Sequence, residues 1–166
     1  MTELRRANGA DAAAIAGVDV RAWNHAYADF LDERRLAERT TTVREARWRE
    51  ALGAGDKETW VLEVAGRIAG YVSLRGAEGE EGTGEIVAIY VDPPAQGAGA
   101  GTRLLAAGQE RLAELGFARA MLWVFQENGL ARRLYERRGW ELVADAGPNE
   151  ACESWAPAVR YERELA

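Results

Sequence analysis

The succession of apolar patterns in this chain predicts a mixed α/β fold, with a central sheet of about seven strands flanked by helices. Three observations carry that prediction. Short runs rich in β-branched and aromatic residues recur along the chain, between stretches whose apolar residues repeat at three- and four-residue steps. Strand-like runs follow one another in mid-chain, so the pattern is not the strict alternation of a doubly wound fold. The run Glu85 to Val91 stops at Pro93-Pro94, which cannot continue a ladder, and leads into a glycine turn and an amphipathic helix. The predicted order is β-α-α-β-β-β-α-β-α-β-β. Neither a linker nor a repeat interrupts it, so one domain is expected over 1–166.

Glu3 to Ala7 reads as a short strand. From Asp11, the positions Ile15, Val18, Ala22, Trp23, Ala26, Tyr27 and Phe30 form one helical stripe. A more polar helix covers Val43 to Leu52 and stops at Gly53-Ala54-Gly55. Thr59 to Val64 and Ile68 to Leu74 flank Ala65-Gly66-Arg67 as a hairpin. Gly76 to Gly84 reads as an exposed loop before the strand that opens at Glu85. Beyond the glycine turn, Leu104, Leu105, Gly108, Leu112 and Leu115 share a helical face that Gly116 ends. Arg119 to Phe125 is a buried strand. Asn128 caps a helix through Arg138 with Leu130, Leu134 and Tyr135 as its apolar points. Trp140 to Val143 and Ala158 to Leu165 are the last strands, and Asp145 to Pro157, with Cys152 and Trp155, is a loop.

Composition narrows the function. At 166 residues, 48% hydrophobic and 29% charged, the chain is an ordinary globular sequence. It holds no apolar run of about 18 residues, and Met-Thr-Glu-Leu-Arg-Arg-Ala lacks the apolar core of a secretion signal, so a cytoplasmic location is expected, with no membrane partner. A net charge of −6 argues against nucleic acid. One cysteine forms no internal disulfide and no metal pair, and no metal is expected. A homodimer is compatible with the sequence.

Gln96-Gly97-Ala98-Gly99-Ala100-Gly101-Thr102 is built to hold phosphate, since glycines leave main-chain N–H groups uncovered and the next helix adds its own. A P-loop would need a lysine in the turn, and Arg103 follows Thr102 instead. A dinucleotide fingerprint needs a different glycine spacing on the first βα unit.

The turn matches Gln/Arg-x-x-Gly-x-Gly/Ala, and the chain around it resembles the GNAT superfamily of acetyl-CoA-dependent N-acetyltransferases. The resemblance takes in Ile89-Tyr90-Val91-Asp92-Pro93 upstream. Downstream it takes in Trp123-Val124-Phe125-Gln126-Glu127-Asn128 and the stretch from Ala131 through Tyr135 to Gly139-Trp140. It runs from about Glu85 to Val143, and the N-terminal third agrees only in element order. It implies a sheet whose fourth and fifth strands splay apart, with acetyl-CoA as co-substrate between them. It implies cofactor contacts from Ile89, Tyr90, Val91, the turn Gln96 to Thr102, Asn128 and Tyr135. Ile89 and Val91 would offer main-chain hydrogen bonds to the pantetheine arm, and the Ile89 N–H would polarise the thioester carbonyl.

A lysine-like amine, with a pKa of about 10.4, is mostly protonated at neutral pH. Catalysis needs a base for that proton and an acid for the departing thiolate. The resemblance implies direct attack in a ternary complex, with Tyr135 as the acid and Glu85 as the base. Glu127 and a bound water are alternative bases. Trp23, Tyr27, Glu85 and Trp123 are the acceptor-side candidates, although Trp23 and Tyr27 also fit plain core packing. His25 reads as a helix residue without a catalytic role. Arg132, Arg133, Arg137 and Arg138 read as a solvated face, one member of which would suit the 3′-phosphate of coenzyme A. The expected activity is acetyl transfer to a primary amine of a small molecule. The alternatives are a non-catalytic acyl-CoA sensor, an acetyltransferase of a protein N-terminus, and acyl transfer with longer chains or onto oxygen.

Overall fold

The computed structural model describes residues 1–29, 31–143 and 157–165. Phe30, Cys152 and Trp155 lie outside the described residues. The elements are β1 (Thr2–Arg6), α1 (Ala12–Tyr27), α2 (Glu33–Glu38), α3 (Thr41–Ala54), β2 (Glu58–Val64), β3 (Arg67–Gly76) and β4 (Thr83–Val91). They continue with α4 (Ala100–Glu114), β5 (Arg119–Phe125), α5 (Gly129–Arg137), β6 (Glu141–Val143) and β7 (Ala158–Glu164). The seven strands form one mixed sheet in the order β1-β2-β3-β4-β5-β7-β6. The parallel ladder between β4 and β5 covers Thr83–Glu85 against Arg119–Met121. This is the predicted class, with one helix more than expected.

That helix is α2. Its six polar-rich residues carry no apolar stripe long enough to see, but Asp32 caps it by accepting from the Arg35 N–H. An Asp followed by Glu33 was the available signal. The expected loop from Gly76 is also shorter, because β3 and β4 extend toward each other and the Ala77 N–H donates to the Thr83 carbonyl at 2.9 Å. Leu115 and Leu130, expected on buried faces, are exposed. Each sits at or near a helix end, where the apolar stripe runs past its partners.

The chain divides into two compact units, Met1–Leu74 with Ala88–Gly108, and Arg75–Val87 with Gln109–Ala166. In the first, Ile15, Ala16 and Val18 of α1 and Trp48 of α3 pack on Val61 and Tyr71, with Ala88 and Tyr90 of β4 against the same cluster. Side chains alternate across a strand, so Gly70, next to Tyr71, faces the opposite side. A Cβ there would lie 2.8 Å from Leu104 Cδ1 of α4 and 2.8 Å from the Tyr90 carbonyl oxygen, which is why this position has no side chain. The hairpin turn between β2 and β3 holds Ala65 and Gly66 both at positive φ, 51° and 76°, as a two-residue turn of that twist requires.

In the second unit, Met121, Leu122, Val124 and Phe125 of β5 are buried, as are Leu112, Trp140 and Tyr161. Gly84 is closed by α4, since a Cβ would lie 2.5 Å from Leu112 Cδ2. Tyr161 of β7 ties α5 down. Its hydroxyl accepts from Arg132 Nε at 3.0 Å and donates to Glu136 at 2.6 Å. Arg132 is therefore a structural residue and not part of a solvated face, while Arg133, Arg137 and Arg138 are exposed.

Candidate active site

The glycine turn follows β4 in the first unit. Pro93–Ala95 form one 3-10 turn, and Gly97 and Gly99 then take φ of 86° and 83°, the left-handed region that an L side chain resists. Helix α4 opens at Ala100, and the Arg103 N–H donates to the Gly99 carbonyl at 3.0 Å. Among the described residues, no acceptor takes the N–H groups of Gly97 to Thr102. Nothing lies within 4 Å of a Cβ built at Gly97 or Gly99. These main-chain donors, at the positive end of the α4 dipole, suit a dianionic group.

The approach to the turn is braced. Arg21 of α1 grips Asp92 with two hydrogen bonds, of 2.8 and 3.0 Å, and the Asp92 N–H donates to the Ala69 carbonyl at 2.8 Å. The Gln96 side-chain amide donates to the Val91 carbonyl at 3.1 Å, so it closes the turn on its own strand. A groove of about 450 Å³ borders the turn, lined by Leu62, Ile68, Ala69, Ala98, Ala100 and Arg103 among others.

Tyr90 turns its ring away from α4 toward α1. Its hydroxyl lies 3.4 Å from that of Tyr27, and its ring centroid lies 5.8 Å from that of Tyr71. Burial, then the neighbouring Tyr27 and Tyr71, raises the Tyr90 phenol well above its ordinary pKa, so it stays neutral. Beside this aromatic group sits Asp19 of α1, fully buried on the apolar stripe. Asp19 Oδ1 accepts from Arg39 Nε and Nη2 at 2.9 and 2.7 Å, and Oδ2 accepts from Arg44 Nε at 2.7 Å and Trp48 Nε1 at 2.9 Å. The Arg39 guanidinium also lies 3.9 Å above the Trp23 ring, and Trp23 meets Tyr27 edge-on at 4.5 Å. Burial works to lower the Arg39 pKa, but its pairing with the Asp19 carboxylate outweighs it and leaves it raised. The sequence reading missed this cluster. A carboxylate one turn from both Ile15 and Trp23 was the signal.

In the second unit, Glu85 is buried and accepts from Arg75 Nε at 2.8 Å. Asn128 caps α5 by accepting from the Ala131 N–H at 3.2 Å. Tyr135 is buried, its ring 5.9 Å from Tyr161 and 6.2 Å from Trp140. Trp123 of β5 is half-buried opposite Arg160 of β7. Glu127 and His25 are exposed. Among the described residues, no group of three metal-ligating side chains occurs, and no helix is long and apolar enough to cross a membrane.

The seven-stranded mixed sheet with its parallel β4–β5 pair is the GNAT-like architecture. Residues 20–140 match the model of the acetyltransferase (GNAT) family, and the chain belongs to that family of acyl-group transferases. The mycothiol acetyltransferase of Kocuria rhizophila is 32% identical over 136 residues, covering 75% of this chain and 43% of that protein. The chain thus spans less than half the length of that relative. Among solved structures, the PaiA N-acetyltransferase of Thermoplasma acidophilum in complex with coenzyme A superposes with a TM-score of 0.80 at 15% identity, covering 99% of each chain. The yncA protein of Salmonella typhimurium with acetyl-CoA superposes with a TM-score of 0.73 at 23% identity, covering 100% of this chain and 95% of that one. These two likenesses concern the fold.

Proposed function

We propose that the chain moves an acetyl group from acetyl-CoA to a primary amine of a small molecule by direct attack of the amine, as one transferase domain. The observation that carries this reading is the row of main-chain N–H groups from Gly97 to Thr102, open to a ligand at the start of α4. A diphosphate fits that row in charge and in donor geometry. Bound there, acetyl-CoA supplies an activated thioester acetyl group.

The chain's own residues divide the remaining work. Gly97 to Thr102 bind the diphosphate. Ile89 and Val91 orient the pantetheine arm through main-chain groups, and Tyr90 contributes by main chain alone because its side chain is committed to Tyr27 and Tyr71. Gln96 shapes the turn, and Asn128 contacts the cofactor. The Glu85 carboxylate takes the proton of the acceptor ammonium, directly or through water, while Arg75 holds its Oε2. Tyr135 Oη gives a proton on the leaving-group side. Trp23 and Tyr27 are the acceptor-side residues of the first unit, and Trp123 that of the second. A small-molecule acceptor is supported by relatives named for mycothiol, itself a small molecule.

The test is thiol release from acetyl-CoA in the presence of a panel of small amines. Turnover that saturates with one of them is the expected result. Tight coenzyme A binding with no turnover on any amine would instead make the protein a sensor.

A further inference from the structure

Two guanidiniums share one carboxylate in the first unit, which leaves one positive charge in excess. Both Asp19 oxygens are saturated by Arg39, Arg44 and Trp48. Arg39 Nη1 and both Nη atoms of Arg44 have no partner among the described residues. The Arg39 and Arg44 side chains are only 14% and 18% exposed, so water covers little of this surplus charge. One carboxylate shared by two guanidiniums leaves half of their charge uncompensated, and an arriving anion would supply the second counter-charge. Among the described residues, the other groups recorded beside Arg39 are the Trp23 ring and the Tyr71 and Tyr90 phenols, which burial keeps neutral, and none of them supplies a negative charge. On the same helix as Asp19, the buried Asn24 Oδ1 has no hydrogen-bond partner among the described residues and can accept from an N–H.

On the acetyltransferase reading, the cluster also lies on the face of β4 to which Tyr90 turns. Tyr90 stands between Ile89 and Val91, the main chain proposed above for the thioester arm. Its side chain leads on the α1 side of the sheet to Tyr27, Tyr71 and Arg39. Arg39, bonded to Asp19 of α1, thus stands on the side of the sheet to which the Tyr90 ring turns.

We infer that the acceptor is an amine that also carries a carboxylate, of amino-acid type, and that Arg39 receives the carboxylate within a wall of Trp23 and Tyr27. This rests on the acetyltransferase reading and adds the substrate class to it. The guanidinium fork binds a carboxylate through its free Nη1 edge, and the aromatic wall favours an apolar body between the two charged ends.

The experiment compares pairs of acceptors that differ only by the carboxylate: phenylalanine with phenethylamine, and lysine with cadaverine. With acetyl-CoA saturating, kcat/KM is expected to be at least about tenfold higher for the carboxylate member of one pair. Arg39→Met is expected to bring that ratio to within about twofold of unity, and Arg39→Lys to keep part of it, both variants being checked for folding by their Tm. Equal or better turnover of the decarboxylated amines overturns the inference and leaves the acetyltransferase reading intact. Quenching of tryptophan fluorescence gives a readout independent of turnover. With coenzyme A bound, N-acetylphenylalanine should bind at least about tenfold tighter than N-acetylphenethylamine, and equal binding, or binding of neither, contradicts the inference. Failure to bind coenzyme A at all would remove both readings together.

Discussion

The turn from Gly97 to Thr102 and the Asp19 cluster belong to the same compact unit, yet they handle charge in opposite ways. The turn presents main-chain donors, contains no formal charge from Gln96 to Thr102, and leaves the donors of Gly97 to Thr102 without an acceptor among the described residues. The cluster buries three formal charges and closes them on each other, with one cation in excess. A preorganised row of amides can lose its ligand without harm, because water reaches exposed N–H groups. A buried carboxylate cannot lose its partners so easily. The turn should therefore govern binding with little effect on stability, and Asp19 should govern stability first.

The largest effect expected from that contrast is on binding. Gly99→Glu puts a negative side chain where the diphosphate belongs and forces a left-handed φ on a residue with a Cβ. Calorimetry should find acetyl-CoA affinity lowered by about 100-fold or more, with cooperative unfolding retained. Asp19→Ala should do the reverse. Removing the one carboxylate between two guanidiniums should cost about 3–5 kcal/mol in urea unfolding, as for other broken buried pairs. Stability unchanged in that variant would mean that the cluster is solvated.

Tyr135→Phe comes next. If the phenol is the proton donor, turnover should fall about 100-fold while acetyl-CoA affinity changes less than about twofold, because the ring and its contacts with Tyr161 and Trp140 remain. Gly70→Ala should destabilise the protein by about 1–3 kcal/mol through overpacking. Leu104 can shift, but the Tyr90 carbonyl is main chain and cannot.

The smallest effect is acid sensitivity. Arg5 donates to both Asp11 oxygens at 2.9 Å, and this pairing holds the Asp11 carboxyl below its ordinary value. A depressed folded-state pKa contributes stability above the unfolded value of about 3.9 and loses it as pH falls through the folded one. Arg5→Ala should thus cost about 1 kcal/mol at pH 7 and progressively less below about pH 4, measured by urea midpoints across that range.

The same contrast explains what the sequence could reveal. The turn was legible because its information is contiguous: proline, spaced glycines and a helix start determine the backbone locally. Strand β5 was legible for a similar reason, since it is one short apolar run. The Asp19 cluster joins residues 20 to 29 positions apart, and no periodicity links Asp19 to Arg39, Arg44 and Trp48. Helix α2 escaped notice because six residues are too few to display a stripe, even though Arg39 at its end reaches Asp19. Glu85 was readable as a strand residue, whereas its pairing with Arg75 depends on how far β3 and β4 extend. Arg132 looked like one of four equivalent arginines until β7 brought Tyr161 against it.

Calorimetric titration of acetyl-CoA against S-acetylpantetheine, which keeps the thioester and the arm but lacks the diphosphate, isolates what the open amides contribute. Binding of the truncated ligand at least about 100-fold weaker is the result expected if Gly97 to Thr102 grip the diphosphate. Equal affinity for the two would contradict it.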